Sequence, residues 1–168
     1  LMTTSLIHSI KYLRKGDLLS DVRAREYAHT GVVLGLLGTA TGSLWARYTW
    51  GDFWVNDVKL NGAAITILIY LAYIILRNSV EDNEKRGKLA AVYNIFSYSM
   101  LVVFLIILPR TTDSLHPGNG GNPGFSQYEE DLNTTMRMIF YPAILGWTLT
   151  AWWITHLRIR ISKLNVRQ

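Results

Sequence analysis

Four stretches without Asp, Glu, Lys or Arg set the terms for this chain: residues 27–46, 60–76, 89–109 and 138–157. Each is about 17–21 residues long, the length a helix needs to cross the roughly 30 Å hydrocarbon layer of a bilayer. A helix on the surface of a soluble bundle carries polar residues at every turn, and these stretches do not. They predict an all-α, polytopic membrane bundle with four complete spanning helices. Residues 1–13 are apolar for about half that length and run straight into Lys11, Arg14 and Lys15. They read as the cytoplasmic end of a further span, and the expectation is an N-terminally truncated single membrane domain covering residues 1–168.

The net charge of +5 raises the question of a nucleic-acid partner, and its placement answers it. Lys and Arg concentrate in residues 11–25, 77–88 and 158–167, whereas the connections 47–59 and 110–137 hold two basic residues each. This alternation is the positive-inside pattern of a multi-span protein in a lipid bilayer, with the rich segments cytoplasmic and the poor ones outward. No nucleic-acid partner is expected. The absence of cysteine excludes a disulfide framework, a thiolate metal site and a covalent haem-attachment motif in this chain.

Several segments read as connections. Residues 16–26 and 77–88 mix both charge signs and are expected as solvated cytoplasmic loops, with residues 154–168 as a tail. Residues 111–125 are rich in Pro, Gly and Asn, which disfavour regular helix. Residues 126–136 suit a short amphipathic surface helix. Gly31, Gly35, Gly38 and Gly42 recur every three or four residues, spacing that lets a neighbouring helix approach closely. They are expected to pack against protein.

The stretch Trp50-Gly51-Asp52-Phe53-Trp54-Val55-Asn56-Asp57 lies between the first two complete spans, on the outward side. Large rings with polar edges suit either a membrane–water boundary or a flat ligand. Of the four histidines, His8, His29 and His156 fall at cytoplasmic ends and are expected as interfacial polar residues. His116, in a Leu-His-Pro-Gly turn, shares the outward face with the rings. An outward imidazole beside an aromatic platform fits a haem held by an axial bond, and Arg47, Lys59, Arg110 and Arg137 at outer span ends fit its propionates. An interfacial aromatic belt with an exposed loop histidine fits the same residues. Residue types alone leave both readings open.

The run from Gly42 to Leu60 resembles the tryptophan-rich "WWD" segment of cytochrome c biogenesis haem-handling proteins. It is most similar to the CcmC (haem exporter protein C) branch and shares features with CcsA-type haem lyases. The resemblance extends over nearly the whole chain, and Asp113-Ser114-Leu115-His116-Pro117-Gly118 falls where that family has its later outward histidine. Asn56 departs from the pattern, standing where many members have another Trp. Nothing here matches the family's earlier axial histidine, which is expected upstream of Leu1.

The resemblance implies a six-span protein of the bacterial inner membrane, with the WWD loop and the His116 loop facing the periplasm. It implies non-covalent haem b on a platform of Trp50, Gly51, Phe53, Trp54 and Asp57, with His116 as an axial ligand. Implied partners are a membrane-tethered haem chaperone, an ATP-binding-cassette (ABC) transporter complex and a small single-span subunit. No bond-making residue stands out, so the expected role is binding and delivery rather than catalysis. The alternatives are a subunit of a haem lyase attaching haem to apocytochrome c, and a membrane protein without haem.

Overall fold

The computed structural model describes residues 1–116 and 133–166. Among these the chain is helical throughout, without strands: α1 (Met2–Lys15), α2 (Leu18–Trp50), α3 (Val58–Ser79), α4 (Asn83–Val102), a π-helical turn (Val103–Ile107), α5 (Leu108–Thr111) and α6 (Thr134–Val166). The expected Pro/Gly-rich connection beyond His116 lies outside the described residues. So does most of the expected surface helix at 126–136, of which residues 134–136 form the first turn of α6.

Helix α2 is central, packing against α1, α3 and α6, while α1 also packs on α4 and α3 on α4. Two helices combine the length and apolarity needed to cross a membrane: Val58–Ser79, with mean hydropathy 1.8, and the continuous Asn83–Thr111, with 2.2. Runs 27–46 and 138–157 lie inside α2 and α6. At 33 residues each these are long enough to cross, but Gly and Thr in α2 and Trp and Thr in α6 dilute their apolarity. Helix α6 runs through Pro142 as one helix.

The segments expected as loops at the basic end are mostly helix. Helix α2 starts at Leu18, capped by the Asp17 carboxylate accepting from Leu19 N–H at 3.1 Å and Ser20 Oγ at 2.6 Å. Only residues 80–82 separate α3 from α4, and Asp82 caps α4 through Lys85 N–H at 2.7 Å. Helix α6 continues to Val166. The reason is pairing. Arg77, 4% exposed, binds Asp21 through both of its terminal nitrogens. Glu26 accepts from Arg25 Nε at 2.8 Å, Ser162 Oγ at 2.9 Å and Arg158 Nε at 2.8 Å. Burial works against the Glu26 carboxylate, and the Ser162, Arg25 and Arg158 contacts outweigh it and hold its pKa low. Charges that signal a solvated loop when read singly here join helix ends across the bundle.

The interior is more polar than a soluble core. Asn94 donates to Ser5 Oγ at 2.7 Å and Ser9 Oγ at 2.8 Å, and Ser5 Oγ in turn donates to the Ala24 carbonyl at 2.6 Å. That chain joins α4, α1 and α2. Large apolar side chains such as Val33, Leu68, Ile75, Ile139, Leu145 and Trp153 point outward instead. Polar groups paired inside and apolar ones outside is the distribution a lipid solvent demands.

At the outer end of α4, Pro109 cannot donate a backbone hydrogen bond and would crowd the carbonyl of Leu105. The π-helical turn widens the backbone there, with Leu108 N–H reaching back to the Val103 carbonyl. Gly62 of α3 faces this turn so closely that a Cβ would lie 2.5 Å from the Phe104 carbonyl oxygen. The close approach brings the chain after α5 over the start of α3.

Removing one partner of the buried Arg77–Asp21 pair leaves an uncompensated charge, a loss of about 3–5 kcal/mol. Arg77→Met and Asp21→Asn are therefore each expected to lower the unfolding midpoint in detergent, with the double variant recovering part of the loss. Strict additivity in that double-mutant cycle would refute the coupling.

Candidate functional site

Helix α2 ends at Trp50 because Gly51 turns the chain at φ 90°, a conformation that strains any residue with a Cβ. The loop then folds back on the last turns of α2. Ser43 Oγ donates to the Phe53 carbonyl at 2.6 Å. Arg47 hydrogen-bonds the Gly51 carbonyl, lies 3.8 Å from Asp52 and sits 5.7 Å above the Phe53 ring. On the far side, the Trp54 indole N–H donates to Asn61 Oδ1 at 3.1 Å, and Asn61 Nδ2 donates to Asn56 Oδ1 at 2.8 Å.

Asp57 closes the loop and is almost fully buried. Its Oδ1 accepts from Lys59 N–H at 2.9 Å and Leu60 N–H at 3.3 Å, capping α3. Its Oδ2 accepts from Ser114 Oγ and Leu115 N–H, both at 2.8 Å, which anchors the second outer connection. Finally, His116 Nδ1 lies 3.0 Å from Asp57 Oδ1. Burial opposes the ionised carboxyl, but the bonds from Ser114, Leu115, Lys59 and Leu60 outweigh it and hold the pKa below the ordinary carboxylate value. An ionised carboxylate can only accept, so Nδ1 of His116 carries a proton, and in the neutral imidazole the lone pair is on Nε2. A carboxylate behind the imidazole is the usual outer support of a metal-ligating histidine.

The His116 ring is also held by aromatic edges. Trp50 meets it at 4.9 Å and 73°, Trp45 at 6.2 Å, and the two indoles meet each other at 5.0 Å. Beside the imidazole, between α2 and α3, lies a groove of about 280 Å³ bounded by Gly38, Gly42, Ser43, Trp54, Lys59 and His116 among others. Among the described residues, nothing lies within 4 Å of where a Cβ would stand at Gly38 or Gly42. Among the described residues, the expected packing of the glycine stripe on protein is therefore not met at these two positions, which face the groove between α2 and α3 instead. Gly35 does meet a neighbour, Ile67 of α3, at 3.7 Å.

Trp50, Gly51, Phe53, Trp54, Asp57 and His116 thus come together at one end of the α2–α3 pair. The four cations separate. Lys59 lines the groove and Arg47 is turned into its own loop. Arg110 is exposed on α5 and Arg137 lies in the first turn of α6, and neither lines the groove. His8, His29 and His156 do not line it either. Sequence reasoning passed over Trp45, Ser43 and Ser114 as site residues. Trp45 and Ser43 lie within the resembling run, and Ser114 lies two residues before His116, so proximity was the one available signal.

A family model described as "CcmC: Heme exporter protein C" matches residues 2–168. The chain is 22% identical over 142 residues to Heme exporter protein C of Escherichia coli strain K12, covering 84% of this chain and 55% of that protein. It is 38% identical over 74 residues to the protein of that name from Bradyrhizobium diazoefficiens, covering 44% and 28% respectively. With the Paracoccus denitrificans protein it shares 31% identity over 87 residues, covering 52% and 36%. The chain spans about half the length, or less, of these curated relatives.

Asp57→Asn keeps the shape of the side chain but sets an amide nitrogen against donors. It is expected to cost about 2 kcal/mol, the scale of a hydrogen bond to a charged group, read as a lower unfolding midpoint. The pH sign follows from the lowered pKa. The carboxylate's contribution is fully present at neutral pH and disappears as pH falls through that lowered value, so the wild-type advantage over Asp57→Asn shrinks in acid. An advantage that grows on acidification would contradict this assignment.

Proposed function

Because the chain belongs to the haem exporter protein C (CcmC) family, we propose that it binds haem b non-covalently at the Trp50–Asp57 loop and His116, and passes it on during cytochrome c maturation. The observation that carries this reading is the Asp57–His116 contact, which fixes the imidazole by Nδ1 and leaves Nε2 as a ligand atom. Bound iron would supply the coordination chemistry, while the chain's own residues bind and orient.

In this reading Asp57 fixes the tautomer and orientation of His116. Trp50 and Trp45 hold the ring's orientation. A groove of about 280 Å³ is at the small end for a ligand pocket, so it suits one edge of a macrocycle, with Trp54 against that edge and Phe53 and Trp50 nearby. The floor of Gly38 and Gly42 lets a flat edge approach α2 closely. Lys59 is the one cation among the groove's described lining residues and the first choice for a propionate. Arg110 and Arg137 serve only if the connection between them folds over the site. Arg47 acts on the loop rather than on the ligand.

The charge asymmetry of the connections supports four spans with this site at the periplasmic face of the bacterial inner membrane. Haem held there is accessible to a membrane-tethered haem chaperone, and an ABC transporter complex and a small single-span subunit complete the assembly. Among the described residues of the site no side chain is set up to make or break a bond, and the proposal is accordingly delivery rather than ligation.

The test is an absorption spectrum of the full-length protein purified in mild detergent. The wild type is expected to show a b-type haem spectrum. His116→Ala is expected to abolish or shift it, and Asp57→Asn to weaken haem retention by about tenfold, the low end for loss of an outer support. A colourless protein despite ample haem would overturn haem binding. An unaltered spectrum in His116→Ala would overturn the ligand assignment.

A further inference from the structure

The opposite end of the bundle carries a second constellation that the haem reading does not use. Along α2, Tyr27 stands 23 residues before Trp50, about 35 Å away at 1.5 Å per residue. There a cavity of about 380 Å³ opens between α1, α2 and α6, and its polar lining is His8, Arg23, His156, Arg160 and Lys163. No carboxylate is among its described lining residues. Of the acids near Arg23 in the sequence, Asp21 is paired with Arg77, and Glu26 has both oxygens occupied by Arg25, Arg158 and Ser162. Among the described residues Arg23, Arg160 and Lys163 have no carboxylate within ion-pair reach, so three cations converge on one cavity without a counter-charge.

Two imidazoles complete the lining. His156 Nδ1 lies 3.0 Å from the Trp152 carbonyl, which can only accept, so Nε2 is the ring's remaining polar atom. His156 packs 4.2 Å from the Trp152 ring and edge-on to Tyr27, while His8 stacks on the other side of Tyr27 at 6.0 Å. His8 Nδ1 is buried without a hydrogen-bond partner among the described residues.

Tyr27 and Trp152 also wall a second cavity of about 530 Å³, which continues along α6 past Ile144, Trp147 and Phe140 and is mainly apolar. A cationic chamber thus adjoins an apolar trough and shares two rings with it. A free phosphate would use only the first part, whereas an anionic lipid uses both. Basic pockets between spanning helices take acidic headgroups, and Arg forks suit phosphate oxygens. We infer that the paired cavities hold one anionic phospholipid, its phosphate among Arg23, Arg160 and Lys163 and an acyl chain along the trough.

Thermal unfolding of the full-length protein in mild detergent tests this against added phosphatidylglycerol, phosphatidylcholine or inorganic phosphate. Phosphatidylglycerol is expected to raise the midpoint at concentrations where phosphatidylcholine does not. The triple variant Arg23→Gln, Arg160→Gln, Lys163→Gln is expected to need at least tenfold more of it. Arg14→Gln with Lys15→Gln, exposed cations of the same end, is expected to leave the response intact. Should the triple variant fail to fold, Arg160→Gln alone, an exposed position, is expected to shift the dose response in the same direction. Equal responses to the two lipids, or equal losses in the Arg14/Lys15 variant, would overturn the site. Inorganic phosphate reproducing the whole shift would overturn the lipid as its source. None of these readings depends on haem, so the inference and the outer-face proposal fail separately.

Discussion

The aromatic-loop end of this molecule depends on a single buried carboxylate. Asp57 is 1% exposed at its side chain, and a bare charge at that depth is untenable unless its lone pairs are filled. Five contacts fill them: two backbone N–H groups of α3, the Ser114 hydroxyl, the Leu115 N–H and the His116 ring. The first two belong to the aromatic loop and its helix, the other three to a connection more than fifty residues later. Satisfying the charge and assembling the site are the same event. A neutral side chain of equal size can cap the helix, but it gives the later connection no comparable reason to come down on the earlier one.

The same rule governs the basic end. Glu26 gathers α2 and α6 through Arg158 and Ser162, and Asp21 gathers α2 and α3 through Arg77. Asn94 with Ser5 does so for α4 and α1 without charge. In a chain whose apolar surface has nothing to gain by turning inward from lipid, such polar links decide which helices touch. The π-helical turn ahead of Pro109 and the bare Cα of Gly62 then set where the later connection begins. Without that close approach, Ser114 and His116 would start from a different place relative to Asp57.

Much of this was legible in the sequence. The apolar runs predicted helices, and the loop motif and His116, expected to share one face, do lie side by side. What escaped was pairing at a distance. Asp21 and Glu26 look like solvated loop residues until their partners, 56 and 132 positions later, are seen beside them. Gly38 and Gly42 carry a helix-packing spacing, yet whether such a stripe meets a helix or a groove depends on where α3 lies, which no local pattern encodes. Arg47 had the right type and place for a ligand-facing cation, but a carbonyl, a carboxylate and a ring lie closer to it within its own loop.

The two readings of the aromatic stretch, interfacial belt and ligand platform, make different demands on the indoles. A belt ring sits at the headgroup level and needs nothing on its protein side. Trp50 instead is half-buried with its ring edge-on to His116, and Trp45 backs it. Two indoles and a saturated carboxylate all act on one imidazole, fixing its plane and its tautomer. A loop histidine with no ligand to meet has no use for that much constraint, since exposed rings lose entropy when ordered. The constraint has a use if Nε2 must hold one direction. The rings alone are consistent with either reading, and it is their convergence on His116 that favours the platform.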